Sequence, residues 1–100
     1  MDVLQAIKGR RSYRSFLDRP VEEEKLQAIL DAGRWAPSVM NLQPWQFWVI
    51  KNRDVIAKLK TASQETLQRI FQASGWKWVS KFSLEFMSQA PVIIAVVGDP

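Results

Sequence analysis

Two polar segments of the chain contain the residue types whose spacing could bind an anionic, heteroaromatic ligand. The first, at positions 10–14, reads Arg-Arg-Ser-Tyr-Arg. Alternate side chains of an extended backbone share a face, so Arg10, Ser12 and Arg14 would converge on one side. A guanidinium fork matches phosphate oxygens, and a neighbouring hydroxyl can complete the cradle. The spacing therefore indicates an anion site, although a solvated basic loop uses the same residues.

The second segment, at positions 36–47, reads Ala-Pro-Ser-Val-Met-Asn-Leu-Gln-Pro-Trp-Gln-Phe. Asn41 and Gln43 each carry an amide that both donates and accepts, which is what the edge of a flavin or a nucleobase requires. Polar loops between a helix and a strand often bind ligands. An ordinary turn is the simpler interpretation, because Pro, Ser and Asn are common turn residues.

The composition restricts the chemistry available to these segments. The chain contains neither cysteine nor histidine. Their absence removes disulfides and thiolate nucleophiles, and it leaves no basis for a metal site or for Ser-His or Cys-His catalysis within this chain. We therefore expect no metal and no catalytic side chain, and an organic cofactor that carries the reaction.

The charge and hydropathy patterns restrict the partners. The formal net charge is +4, and the arginines at positions 10–14 are followed by an acidic run, Glu22–Glu24, that we interpret as a solvated helix start. A nucleic-acid surface would need a longer basic face interleaved with aromatic residues. The longest apolar run, Val92–Val97, is far shorter than the roughly 18 residues of a membrane helix. The amphipathic N-terminus lacks a signal sequence, so we expect a cytoplasmic protein without nucleic-acid or membrane partners.

The elements that must position the two segments begin with a helix over Asp2 to Lys8, capped by Asp2 and followed by Gly9. An extended connector then leads to a turn at Pro20. A second helix begins near Val21, and its predicted buried stripe is Leu26, Ile29, Leu30 and Gly33. Residues 36–44 form a loop, and a strand rich in aromatic and β-branched residues follows at Trp45 to Ile50.

The second half of the chain predicts a longer helix and a buried strand. Asp54 is the expected cap of the third helix, a break is expected near Ala62 and Ser63, and apolar spacing continues to Trp78. Residues 92–97 predict a strand buried on both faces. A turn signal, Gly98-Asp99-Pro100, follows directly, where a finished domain seldom ends. We interpret the five tryptophans as core or dimer contacts rather than ligand-stacking platforms.

Both polar segments resemble signatures of the nitroreductase family. Residues 10–16 are similar to its opening Arg-Arg-Ser-x-Arg-x-Phe motif, and residues 36–45 to its second motif, Ala-Pro-Ser-x-x-Asn-x-Gln-Pro-Trp. The Ala-Pro-Val-Ile-Ile segment before the last strand is also similar, so the resemblance covers the whole chain. It implies an α+β fold with helices around a central β-sheet. Residues 1–100 would be the incomplete, N-terminal portion of one such FMN-binding domain.

The resemblance also implies a homodimer with FMN at the subunit interface. Arg10, Arg11 and Ser12 would hold the phosphate and ribityl chain, and Arg14 would lie near the pyrimidine edge of the isoalloxazine. The residues that would approach the flavin from the partner subunit are Pro37, Ser38, Val39 and Asn41. The family often places a lysine or an amide near the flavin as well. Its position does not align clearly here, and the candidates are Lys77 and Lys81.

The implied reaction has two half-steps, in which NAD(P)H reduces FMN and an electron-poor acceptor, such as a nitroaromatic or a quinone, then oxidises it. Because part of the family's site lies outside these 100 residues, we expect weak FMN binding and poor catalysis from this chain. The bulky Val39-Met40 pair could alter acceptor preference. Other flavoenzymes on the same scaffold stay open as alternatives, namely a dehalogenase, a flavin-fragmenting enzyme or a heterocycle oxidase. A non-catalytic fragment or a basic binding module is a further alternative.

Overall fold

The structure, a computed structural model, describes residues 1–98. Its elements, in chain order, are α1 (Val3–Gly9), α2 (Glu23–Arg34), β1 (Trp45–Ile50), α3 (Arg53–Ser74), α4 (Lys77–Ser80), α5 (Phe86–Gln89) and β2 (Ile93–Gly98). A single 3-10 turn, Val39–Asn41, lies in the loop before β1. The predicted α+β class is confirmed, with helices around a small sheet.

The sheet consists of β1 and β2, paired antiparallel with Trp45 opposite Gly98 and Ile50 opposite Ile93. β1 has the predicted bounds, and β2 starts and ends one residue later than predicted. The prediction that this strand is buried on both faces is wrong for residues 1–98, where Val96 is 66% exposed. The reason is that β2 has one strand neighbour in this part of the chain. Asp99 and Pro100, the end of the predicted turn, lie outside the described residues.

Helix α1 forms because its own residues cap it. The backbone N–H of Gln5 donates to Asp2 Oδ1 at 2.8 Å, and the Asp2 N–H donates to Gln5 Oε1 at 3.1 Å. This reciprocal capping box confirms Asp2 as the N-cap, although the helix includes Gly9 instead of ending before it. None of its residues is buried. Every residue from 1 to 20 is exposed, and we call this segment the N-terminal arm.

Helix α2 begins two residues after Val21, with Glu23 and Glu24 at the positive end of its dipole. Leu26 is buried and Leu30 is half-buried, as predicted. A Cβ atom on Gly33 would lie 2.9 Å from Phe47 Cζ, so the glycine lets α2 approach β1 closely. The prediction is wrong for Ile29, which is 54% exposed. At 3.6 residues per turn this side chain lies at the edge of the stripe, about 60° around the helix from buried Leu26.

Helix α3 is one continuous 22-residue helix. Its N-cap is Asn52 rather than Asp54, because Asn52 Oδ1 accepts from the backbone N–H groups of Asp54 and Val55 at 2.9 and 3.2 Å. The break predicted near Ala62 and Ser63 is absent from the helix. It ends at Gly75, whose φ of +71° suits a left-handed C-cap. Trp78 therefore lies in α4 rather than in a continuation of α3.

The hydrophobic core is small and draws on several elements. Its buried apolar side chains are Leu26, Ile56, Val79, Leu84 and Ala90. Four tryptophans lie outside this core because each is more than half exposed, namely Trp35, Trp48, Trp76 and Trp78, whereas Trp45 is half-buried. The predicted core role is therefore wrong for those four, while a dimer contact stays a prediction. Trp76 and Trp78 stack on one another, with ring centroids 6.3 Å apart.

Long-range ion pairs support the packing of the helices. Lys60 Nζ lies 2.8 Å from Glu85 Oε1, joining α3 to the start of α5, and the Lys60 side chain is only 19% exposed. Lys51 Nζ lies 3.4 Å from Glu23 Oε2, joining the residue after β1 to the first turn of α2. None of the helices within residues 1–98 has the length and apolar content needed to cross a membrane.

Candidate functional site

The arginine segment lies in the exposed connector that follows α1. The connector has no regular secondary structure, and its backbone is extended at Arg10. Arg10 Nη1 donates to Ser12 Oγ at 3.0 Å. Of the three side chains predicted to converge, Arg10 and Ser12 therefore do meet, whereas no hydrogen bond joins Arg14 to either of them within residues 1–98.

Arg11 turns back toward α1. Its Nη1 donates to the backbone carbonyl oxygens of Lys8 at 3.0 Å and of Arg10 at 2.8 Å. The carbonyl groups at a helix C-terminus lack intrahelical partners and carry partial negative charge. The Arg11 side chain thus caps the C-terminus of α1 and places a positive charge where the connector begins.

Arg14 is exposed, and within residues 1–98 its guanidinium takes part in no hydrogen bond or ion pair. Arg10 and Arg11 likewise form no ion pair within residues 1–98, because the four ion pairs found there involve other residues. Three guanidinium groups within five residues thus have no carboxylate partner among residues 1–98. This donor set, with the Ser12 hydroxyl beside it, fits a phosphate or another multiply charged anion.

The second segment is a strained loop closed by its own side chains. The backbone N–H of Gln43 donates to Ser38 Oγ at 3.0 Å, and Gln43 Nε2 donates to Asn41 Oδ1 at 3.1 Å. Met40, Asn41 and Gln43 have φ values of 52°, 55° and 50°. A left-handed conformation at a residue other than glycine costs about 1 kcal/mol or more, and such strain concentrates at ligand sites.

The hydrogen bonds in this loop determine what it can offer a ligand. Ser38 Oγ and Asn41 Oδ1 already act as acceptors within the loop. The Ser38 O–H and the Asn41 amide N–H₂ donate no hydrogen bond within residues 1–98, and each oxygen keeps one lone pair. The loop can therefore donate to the acceptor atoms of a heteroaromatic ring. Exposed apolar side chains surround these donors, namely Val39, Met40 and Leu42, and the Pro37 ring is exposed beside them.

The two segments make no polar contact with one another within residues 1–98. Among residues 1–98, no hydrogen bond or ion pair joins residues 10–16 to residues 37–43. Lys77 begins α4 and Lys81 follows it, and both are exposed. Neither lysine is hydrogen-bonded or ion-paired through its side chain to either segment in the described residues.

Two features near the connector were not anticipated from the sequence. A cleft of about 480 Å³ lies beside the connector, where Tyr13, Phe16 and Leu17 approach Pro91 and Val92. The two sides of this cleft are far apart in the sequence, so no local pattern indicates it. The other feature is Arg53, whose guanidinium contacts three distant residues. No local pattern in the sequence marks it.

With this geometry described, comparison with known proteins identifies the chain. Residues 7–100 match the family model described as the nitroreductase family. The chain belongs to the nitroreductase family. Both exposed segments lie within the matched residues, and we call them the two signature segments.

Three nitroreductase-family relatives illustrate the similarity. A Methanothermobacter thermautotrophicus protein, named as an NADH dehydrogenase/NAD(P)H nitroreductase, is 49% identical over 59% of this chain and 31% of its own length. Iodotyrosine deiodinase from Hydra vulgaris is 30% identical over 95% of this chain and 38% of its own length. A Bacteroides fragilis nitroreductase solved with bound FMN superposes with a TM-score of 0.71 at 30% identity, covering 100% of this chain and 54% of that one.

These coverages show how the chain relates to the family in size. The chain spans about a third of the length of the two curated relatives and about half of the solved structure. The match to part of a longer family domain confirms the prediction that residues 1–100 correspond to an incomplete nitroreductase fold.

Proposed function

We propose that this chain binds FMN and forms part of an oxidoreductase that transfers electrons from NAD(P)H to nitroaromatics, quinones or similar electron-poor acceptors. The observation that carries the proposal is the exposed guanidinium cluster of Arg10, Arg11 and Arg14, in which Arg10 and Ser12 are paired at 3.0 Å and Arg14 has no polar partner within residues 1–98. Support comes from a family relative solved with bound FMN. A cytoplasmic location, where NAD(P)H is available, is part of the proposal.

Arg10, Arg11 and Ser12 are the proposed phosphate and ribityl contacts. The charge of the FMN phosphate would offset the mutual repulsion of guanidiniums that have no acidic partner within residues 1–98. Arg10 and Ser12 already share a face, so little rearrangement is needed before they bind the phosphate. Preorganisation of this kind lowers the entropy lost on binding.

Arg14 is the proposed contact to the pyrimidine edge of the ring. FMN, when bound, supplies the hydride chemistry, and the protein sets its binding, orientation and electrostatic environment. A guanidinium beside the ring stabilises the negative charge of the reduced form. We expect Arg14→Ala to lower the flavin midpoint potential, and an unchanged potential would count against this role.

The Pro37–Asn41 loop is proposed to act on the flavin of a second subunit in a homodimer. Its Ser38 O–H and Asn41 N–H₂ are oriented by Gln43 and are available as donors. Pro37 and Val39 are exposed and would supply apolar contact to the ring. This arrangement explains why the two signature segments need not meet in one chain. No protein acid or base is required, which agrees with the absence of His and Cys.

The test is an FMN titration of the purified protein, followed by anaerobic addition of NADH and, separately, NADPH. We expect weak, saturable flavin binding and slow bleaching of the flavin absorbance by at least one of the two nicotinamides. No binding at excess FMN would refute the proposal. A flavin that stays oxidised would remove the nicotinamide from it, and tight stoichiometric flavin would contradict the expected weak binding. Sedimentation with and without FMN tests the homodimer.

A dehalogenase is the second candidate function. The observation that favours it is the similarity to Hydra vulgaris iodotyrosine deiodinase along 95% of this chain. Both candidates use the same proposed FMN contacts and differ in the acceptor. Reoxidation of the reduced protein by nitrobenzene, compared with 3-iodo-L-tyrosine, separates them, because only the preferred acceptor restores the oxidised flavin spectrum quickly.

A further inference from the structure

The N-terminal arm is attached to the rest of the protein by very few polar contacts. Within residues 1–98, the hydrogen bonds and ion pairs that join residues 1–20 to residues 21–98 come down to one side-chain pair, Asp18 with Arg53. Arg53 Nη2 donates to Asp18 Oδ1 at 3.0 Å. Helix α1, at the other end of the connector, buries none of its residues and so provides no second anchor.

Arg53 is itself held firmly by residues 21–98, which we call the body of the protein. It is the first residue of α3, and its Nη1 donates to the backbone carbonyl oxygens of Ser88 and Ala90, each at 3.1 Å. Ala90 is buried, and these carbonyls lie at the end of α5, just before β2. The planar guanidinium thus joins α3, the end of α5 and the arm through one rigid group. Lysine, with a single ammonium nitrogen, cannot reproduce this fork.

The contact with Asp18 lies close to the guanidinium cluster along the chain. Asp18 is four residues after Arg14, which is about 13 Å of extended backbone. Phe16, between them, lies beside Arg53 in a shallow pocket that also includes Ser88. The Asp18–Arg53 pair is therefore the polar anchor of the connector, next to the point where Phe16 and Leu17 approach Pro91 and Val92.

We propose that Arg53 and Asp18 are positioning residues that hold the connector against the N-terminus of α3 and thereby set the affinity for FMN. Neither residue needs to touch the flavin. The inference rests on the proposed FMN-binding role of residues 10–14. It adds a role for residues outside both signature segments.

The main test compares the wild-type protein with Asp18→Asn, which keeps the size of the side chain and removes its charge. Trypsin cleaves after the arginines of the connector, so its initial rate there, followed by mass spectrometry without flavin, reports how firmly the arm is held. We expect Asp18→Asn to raise this rate about two- to fivefold, the change that an exposed ion pair supports. The FMN dissociation constant should rise by a similar factor, and the melting temperature should barely change.

Three further variants make the test specific. Asp18→Glu keeps the charge and should restore most of the wild-type behaviour, whereas Arg53→Lys keeps the charge but loses the fork and should behave like Asp18→Asn. Glu85→Gln is the matched control. It removes the 2.8 Å ion pair between Glu85 and Lys60, a residue of α3 like Arg53, and it leaves the arm unchanged. It should leave both the connector cleavage and the FMN affinity unchanged.

The outcomes separate this inference from the proposed function. An unchanged cleavage rate in Asp18→Asn overturns the inference whether or not flavin binds. Faster cleavage with an unaltered FMN affinity also overturns it, because the pair would then hold the arm without positioning the cluster. Failure of every variant and of the wild type to bind FMN refutes the proposed function and with it the effect on affinity. If Glu85→Gln changed the cleavage rate and the FMN dissociation constant as much as Asp18→Asn does, Asp18 would act only through general stability. That result would also overturn the proposal.

Discussion

The N-terminal arm and the body of the protein divide binding and stability between them. In residues 21–98, five buried apolar side chains and the Lys60–Glu85 ion pair hold the helices and strands together. In residues 1–20, every side chain is exposed, yet this segment carries all of the proposed phosphate contacts. The difference teaches that the residues proposed to hold the FMN phosphate contribute little to the fold. Apart from Arg53 and the Pro37–Asn41 loop, which lie in residues 21–98 and are proposed to act on FMN binding, substitutions in one region should leave the property of the other region nearly intact.

The largest expected effect is loss of stability from the core. Ile56 is 2% exposed, and Ile56→Ala should lower the free energy of unfolding by about 2–5 kcal/mol through lost burial and the cavity left behind. Ile7→Ala in α1 removes the same atoms from a side chain that is 65% exposed, and its effect should be within about 0.5 kcal/mol. Urea denaturation of both variants measures this contrast. A similar loss in Ile7→Ala would break the comparison and show that α1 is covered in solution, for example by a second copy of the chain.

The next largest effect is on FMN affinity and comes from the N-terminal arm. Arg10→Ala should weaken FMN binding by about 1.5–3 kcal/mol, roughly ten- to a hundredfold, because it removes a charge-assisted hydrogen bond. Its stability should be unaltered, since the Arg10 side chain bonds only to exposed Ser12 among residues 1–98. The control is Lys8→Ala, which removes a neighbouring exposed cation. Flavin titration of both variants in the same buffer is the measurement, and equal weakening would mean that net charge, rather than the cradle, binds FMN.

A smaller effect is expected where α2 approaches β1. Gly33→Ala would bring a Cβ atom to 2.9 Å from Phe47 Cζ, and the required shift should cost about 1–3 kcal/mol of stability. Gly9→Ala meets no atom within 4 Å, so it should be neutral or stabilise α1 by up to about 1 kcal/mol. Thermal unfolding of both variants is the measurement. Adding Phe47→Leu to Gly33→Ala should recover part of the loss. Lack of recovery would show that the clash is not the cause.

The smallest effect concerns acid stability. The hydrogen bond from Gln27 lowers the pKa of Glu23, and the hydrogen bond and positive charge of Lys51 lower it further. A carboxyl with a lowered pKa in the folded state stabilises the protein above its ordinary pKa, and this contribution disappears as the pH falls through the folded-state value. Glu23→Gln should therefore flatten the fall in melting temperature below the ordinary pKa of a glutamate. The change should be slight, because the side chain is exposed and solvent screens it. The measurement is melting temperature against pH for the wild type and Glu23→Gln. Curves that fall in parallel below the ordinary pKa of a glutamate would contradict this prediction.

Local structure in both regions could be predicted from the sequence. The Asp2 capping box, the bounds of β1 and the shared face of Arg10 and Ser12 depend on residues within about five positions of one another. The cap of α3 was the local error, because Asn52 and Asp54 are both good N-caps and the chain uses the earlier one. The family signatures are likewise local strings of residues. The FMN contacts assigned through them stay proposals that the titrations must test.

Burial and long-range contact were decided only in the tertiary structure. Apolar spacing predicts the face of a helix that prefers to be covered, but whether a surface is present to cover it depends on distant parts of the chain. Leu26 is therefore buried while Ile29 and most of the tryptophans are exposed. For the same reason no sequence pattern could indicate that Arg53 bonds to Asp18, 35 residues earlier, and to Ala90, 37 residues later. The sequence by itself determined the Asp2 cap of α1, strand β1 and the chemistry of the two signature segments, because those depend on neighbouring residues. Three-dimensional packing decided which side chains are covered and how the arm is attached, because both depend on surfaces that meet only when the chain folds.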